Sequence, residues 1–193
     1  MRLVGPRETC VVLALIGALA AVAGCEADRP PSKPRSAPQQ NTIRSPFPPP
    51  KILTGTVTDV VDGDTLTVRD QKKRKHRVRL LGIDAPEGRQ AFGQASTNSL
   101  VKLTFARSVT VEYGKRDKYD RIVGKVLVDG RDAGLTQIQS GLAWHYREYA
   151  GDQSPVDRAL YSSTEADART AGAGLWQSVR PVPPWVYRDR NRD

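Results

Sequence analysis

Three short β-branched runs, separated by two tight turns, constrain this chain most. "LTGTVTDVV" (53–61), "TLTVRD" (65–70) and "HRVRLLGID" (76–84) each have strand composition. "DGD" and "QKKRK" separate them, so the simplest arrangement is an antiparallel meander. The Asp-Gly step reads as a hairpin signal, because Gly tolerates the positive φ of a reversing chain. A turn needs one acid beside its glycine, yet Asp62 and Asp64 flank Gly63. Two carboxylates at a strand end are costly unless something positive neutralises them.

The meander places more acids at the same rim. Strand one goes up, strand two down and strand three up, so Asp64 and Asp84 arrive at one end of the sheet. Ala85 and Pro86 break the third strand, and Glu87 follows. Such a cluster either raises a pKa or holds a cation. With only oxygen donors on offer, a hard ion such as Ca²⁺ or Mg²⁺ is the natural ligand. Arg79 has the opposite parity from Val78 and Leu80, which should face the core, and Arg121 opens a later strand. A cation, a free carboxylate and two guanidiniums are the parts a phosphodiester hydrolase needs. Arginine forks match phosphate oxygens and remain charged. The carboxylate can orient or deprotonate the attacking water.

The remaining pattern closes a small fold. Helical spacing of Ala95, Leu100 and Leu103 marks 91–105 as a helix, and "SVTVEY" (108–113) and "RIVGKVLV" (121–128) are two further strands. A short helix is expected over 132–143. Another follows over 154–172, with Ser154 as cap, Pro155 at its first position and Gly172 or Gly174 as the stop. Three strands, a helix, two strands and two helices suit an α+β, mainly β domain: a five-stranded OB-type barrel with about three helices. A doubly wound sheet would want a helix after each strand.

Motifs along this stretch resemble those of the staphylococcal nuclease-like, or thermonuclease, family. They are "DGDT" (62–65), "RLLGIDAPE" (79–87), "DKYDR" (117–121), "GLA" (141–143) and "GLW" (174–176), in the family's order. The resemblance implies an OB barrel over about 51–178 and Ca²⁺-dependent hydrolysis of DNA and RNA that leaves 3′-phosphates. It also implies roles for individual residues. Asp64 and Asp84 would ligate the metal, with the Ala85 backbone carbonyl, and Asp62 would support them. Glu87 would activate water, and Arg79 and Arg121 would stabilise the phosphate in its transition state. Lys118 and Tyr119 would contact a neighbouring phosphate. Trp144 and Tyr146 fall near the family's tyrosines and either stack on a base or pack internally. Many members carry Thr where this chain has Ala85, and Gly where it has Asp120. Asp120 would then tune Arg121 or only shape the turn. A catalytically weak or inactive OB module that binds single strands is the alternative; the full set Asp64, Asp84, Glu87, Arg79 and Arg121 favours the enzyme. His76 belongs to a turn on this reading, and His145 lines the groove.

Sequence flanking the barrel points outside the cytoplasm. Arg2 and Arg7 precede an apolar run from Val11 to Gly24, too short to span a bilayer comfortably and suited to a signal peptide over 1–24. "VAGC" (22–25) resembles a bacterial lipobox, which makes Cys25 the expected lipid site and membrane attachment the expected consequence. Residues 26–50 hold 8 of the 14 prolines and form an expected extended spacer. Residues 179–193 are expected to be a basic, unstructured tail, although Trp185 and Tyr187 offer docking groups. The net charge of +9 makes polyanions plausible partners, but residues 51–177 carry only 20 Lys or Arg against 16 Asp or Glu. No protein partner is expected, and the expected state is a monomer.

Overall fold

The computed structural model describes residues 49–191. The expected signal peptide, Cys25 and nearly all of the expected spacer lie outside them. Five strands form the barrel: β1 (Lys51–Val60), β2 (Thr65–Asp70), β3 (Lys75–Leu80), β5 (Ser108–Arg116) and β6 (Ile122–Val128). They run in the order β3-β2-β1-β5-β6, and a parallel pairing of β3 with β6 closes the ring. Closure leaves no long open edge for another chain to extend. Alternation fills the interior: Leu66, Val68, Val78, Leu80, Val111 and Val126 are all buried. Each such side chain contributes about 1.5–3 kcal/mol. The core fixes the register, since a slip of one residue would turn these side chains outward.

The third expected strand is not continuous. It stops at Leu80 and resumes as the two-residue β4 (Ile83–Asp84), which pairs with β8 (Trp144–His145) in a separate small sheet. Gly82 makes the break, with φ 77° and no room for a Cβ against the Gln153 side chain. The chain therefore leaves the barrel wall just before Asp84.

Helix α1 (Gly93–Thr104) buries Gly93, Ser96, Leu100 and Thr104. Of the expected face, Leu100 is buried and Leu103 half-buried, while Ala95 is exposed. Small and hydroxylated side chains let this helix lie close to the barrel, and the Thr104 hydroxyl is satisfied by the Leu100 carbonyl at 2.7 Å. After the two-residue β7 (Arg131–Asp132) comes α2 (Ala133–Gln139). It is shorter than expected and is capped by the Asp132 carboxylate, which accepts from the Gly134 and Leu135 N–H groups. Helix α3 (Pro155–Thr170) begins as expected, with the Ser154 hydroxyl accepting from Asp157 N–H at 3.0 Å and Pro155 in the first turn.

A fourth helix, α4 (Pro184–Arg190), stands where an unstructured tail was expected. The docking groups noted in the sequence decide this. Trp185 stacks on Tyr146 with centroids 5.3 Å apart and meets Trp144 edge-on at 5.6 Å. Gln90 adds a hydrogen bond of 2.6 Å from its Nε2 to the Val182 carbonyl. Among the described residues no helix is long and apolar enough to cross a membrane.

Candidate active site

The DGD turn is built from beneath. Gln137, fully buried on α2, donates from Nε2 to the Gly63 carbonyl and to the Ser96 carbonyl, both at 2.9 Å. Gly63 has no left-handed backbone, contrary to the hairpin reading. It is required by space, because a Cβ there would lie 1.9 Å from Ser96 Oγ and 2.8 Å from Ala85 Cβ. Asp62 shapes the turn by accepting from Asp64 N–H at 3.0 Å. Burial, reinforced by the neighbouring charge of Asp64, pushes the Asp62 carboxyl up to about 6.

The acids meet through Arg79. In the β2–β3 ladder Thr65 lies opposite Arg79, so the guanidinium projects beside Asp64. Its Nη1 donates to Asp64 Oδ1 at 2.7 Å and its Nη2 to Asp84 Oδ1 at 2.8 Å. One guanidinium thus spans two carboxylates that are twenty positions apart in the sequence. Ala85 N–H donates to Asp64 Oδ2 at 3.0 Å, and Thr65 Oγ1 donates to Asp64 Oδ1 at 2.9 Å. Burial pushes the Asp84 carboxyl above the usual carboxylate range. Asp64 adds to the rise, while hydrogen bonds from Arg188 and Arg79 oppose it. Burial alone would weaken the Arg79 charge, but Asp64 and Asp84 outweigh it and raise its pKa.

Glu87 is three residues beyond Asp84 and partly exposed. Its N–H donates to Gln90 Oε1 at 3.1 Å, so Gln90 ties the Glu87 loop to the chain entering α4. The sequence reading missed Arg188. Its Nη1 donates to Glu87 Oε1 at 2.7 Å and to Asp84 Oδ1 at 3.2 Å, and its Nη2 to Asp84 Oδ2 at 2.8 Å. The only signal for it was the aromatic pair that anchors its helix.

A cleft of about 360 Å³ opens beside this rim and is lined by Arg79, Arg121, Lys118, Tyr119, Tyr146 and Tyr149 among others. Arg121 is held by Asp117, which accepts from its Nε at 2.7 Å and from its N–H at 3.0 Å. This leaves both Nη groups for a ligand. Although partial burial opposes it, hydrogen bonds from Arg121 and the Tyr119 N–H hold the Asp117 carboxyl below the usual range. Asp120 adopts φ 60°, in the left-handed region that favours glycine. It pairs with Arg116 at 3.1 Å rather than with Arg121, so it shapes the turn.

The aromatic candidates divide. Trp144 is buried among Trp176, Trp185 and Arg169, whose guanidinium lies 4.8 Å from its ring centre. It is a packing residue here, not a wall of the cleft. Tyr146 does line the cleft, with Tyr149 at 5.0 Å as a neighbour that the sequence reading did not single out. His145 does not line the groove: it is buried, and its Nε2 lies 3.0 Å from Gln153 Oε1. His76 lies just past the β2–β3 turn, 3.0 Å from Asp70.

Known proteins are similar to this chain in sequence. Residues 77–178 match the family described as staphylococcal nuclease homologue. The chain belongs to the staphylococcal nuclease family. An uncharacterised endonuclease of Escherichia coli is 42% identical over 137 residues, covering 70% of this chain and 85% of the relative. A micrococcal nuclease of Shigella flexneri is 36% identical over 148 residues, covering 72% and 82%. A probable staphylococcal-like nuclease of rice is 35% identical over 120 residues, covering 62% of this chain and 34% of its own.

For a staphylococcal nuclease-family domain, the donor chemistry of the rim is the test of a bound ion. Asp64, Asp84 and Glu87 offer only oxygen, which fits a hard divalent cation. Among the described residues no three His, Cys, Asp or Glu side chains gather into a ready-made cage. The carboxylates are instead bridged by two guanidiniums, which offset most of the acidic charge.

Proposed function

We propose that this protein is a Ca²⁺-dependent endonuclease that hydrolyses phosphodiester bonds of DNA and RNA with little sequence preference, leaving 3′-phosphates. Membership of a nuclease family and the relatives named endonuclease support the reaction class. The observation that carries the reading is that Arg79, which spans Asp64 and Asp84, lines one cleft together with Arg121.

Asp64 and Asp84 hold the cation on this reading, with the Ala85 carbonyl and with Asp62 in support. The cation neutralises phosphate charge when bound. Arg79 and Arg121 donate to the phosphate oxygens and stabilise the charge that builds as the bond to phosphorus breaks. Arg121 suits this role because Asp117 binds its Nε end, which leaves its Nη groups for a ligand in the cleft that it lines. Glu87 is exposed enough to meet solvent, and it orients or deprotonates the attacking water. Lys118 and Tyr119 contact a neighbouring phosphate, and Tyr146 with Tyr149 supplies the aromatic wall for a base.

The apolar run Val11–Gly24 and the "VAGC" that ends in Cys25 support export and lipid anchoring at an extracytoplasmic membrane surface. Labelled fatty acid should enter the wild type and not Cys25→Ala. Equal labelling of both would remove the anchor.

Digestion of DNA and RNA with and without a Ca²⁺ chelator tests the enzymatic reading. Cutting should stop on chelation and resume with added Ca²⁺. Cutting that survives chelation would refute the cation assignment, and binding without cutting under any cation would return the binding-module reading.

A further inference from the structure

Arg188 occupies the position that a divalent cation would need, and Trp185 seats the helix that carries it. The Arg188 fork takes both oxygens of Asp84 and one oxygen of Glu87. These carboxylates are the ones assigned to the cation and to water activation, so a positive guanidinium stands where positive charge is wanted. One turn earlier on the same helix, Trp185 lies nearly parallel over Tyr146, with an interplanar angle of 26°. Trp185 thereby seats the helix on Tyr146, from outside the lining of the cleft.

We propose that the C-terminal segment 181–190 is an autoinhibitory strap, in which Arg188 competes with the divalent cation and Trp185 seats the segment on Tyr146. The inference rests on the nuclease reading above. It concerns Arg188 and Trp185, which lie beyond the matched residues 77–178.

Two features make the strap releasable. The helix has seven residues, too few to be stable alone, so its contacts hold it in place. Arg188 is 39% exposed, against 18% for Arg79 on the same carboxylate. Its bonds therefore exchange readily for bonds to water. Release uncovers the Asp84 and Glu87 oxygens together. A cation on those oxygens would favour the released state.

Competition has a thermodynamic signature that does not depend on turnover. The apparent affinity for Ca²⁺ is reduced by the fraction of molecules with the strap open. Calorimetric titration of the intact protein with Ca²⁺ should therefore give binding about tenfold or more tighter in Arg188→Gln than in wild type. Trp185→Ala keeps every charge at the rim and weakens only the seat of the helix. It should shift the affinity the same way by a smaller factor. Hydrogen exchange of the amides in 184–190 should quicken when Ca²⁺ is added to the wild type.

Unchanged or weaker Ca²⁺ binding in Arg188→Gln, or no Ca²⁺ binding by that variant, would overturn the proposal. So would amides in 184–190 that stay equally protected at saturating Ca²⁺. If Arg188→Gln misfolds by circular dichroism, the Trp185→Ala titration and the wild-type exchange decide. Failure of the nuclease reading is a separate outcome: Ca²⁺ affinity would still rise in the variant while no cation supported cutting.

Discussion

Arg79 and Arg188 both donate to Asp84, and they come to it from different kinds of structure. Arg79 rises from a barrel strand whose register is fixed by Val78 and Leu80 on either side, both in the core. It is mostly buried and joins two buried carboxylates. Arg188 arrives from a seven-residue helix seated on aromatic rings, and more of its side chain remains in water. The same chemical bond therefore has two meanings. In the barrel it is part of what makes the rim fold with two like charges together. On the strap it is a removable cover. Burial of the arginine and of its second carboxylate, rather than the bond to Asp84 itself, sets the difference.

Stability measurements can break this comparison. Arg79→Ala leaves Asp64 and Asp84 facing each other without a bridge, and should cost roughly 3–5 kcal/mol in urea denaturation. Arg188→Ala should cost no more than about 1 kcal/mol by the same method. Equal costs would mean that the strap is as integral as the strand. Arg121 sharpens the comparison from the other side of the cleft. Arg121→Ala should slow cleavage by about 10²–10³-fold while stability changes little. An unchanged rate would remove it from the site.

Smaller effects test the rim's electrostatics. Because burial raises the Asp62 carboxyl to about 6, the folded domain keeps a proton there that the unfolded chain has lost. The associated stability is complete below about pH 4 and is lost as pH rises through the folded value. In cation-free buffer, Asp62→Asn should therefore gain stability relative to wild type between pH 4 and 7. A difference independent of pH would contradict the assigned cause. Asp120→Gly removes a left-handed non-glycine residue and should raise stability by no more than about 1 kcal/mol. A clear loss would show that its contact with Arg116 matters more than the backbone.

Much of this was legible in the sequence, and the reasons are physical. The barrel strands carry a period-two pattern that survives without tertiary context, and Ser154-Pro155 marks a helix start through local bonds. Asp64, Asp84 and Arg79 could be brought together because a meander returns alternate strand ends to one rim. Other features depended on contacts distant in sequence. The break at Gly82 follows from the Gln153 side chain, and Gly63 is needed for space against Ser96 and Ala85. Trp144 is drawn inward by Trp176, Trp185 and Arg169. Arg188 sits in "RDRNRD", whose composition reads as disordered tail. Only the docking of Trp185, three residues earlier, places that guanidinium on the acids.

Glu87 offers the most direct test of the catalytic assignment. Single-turnover cleavage of a short labelled DNA in Ca²⁺ should be about 10²–10⁴-fold slower in Glu87→Ala, with affinity for the same strand nearly unchanged. An unchanged cleavage rate, or a loss of affinity equal to the loss of rate, would contradict the account.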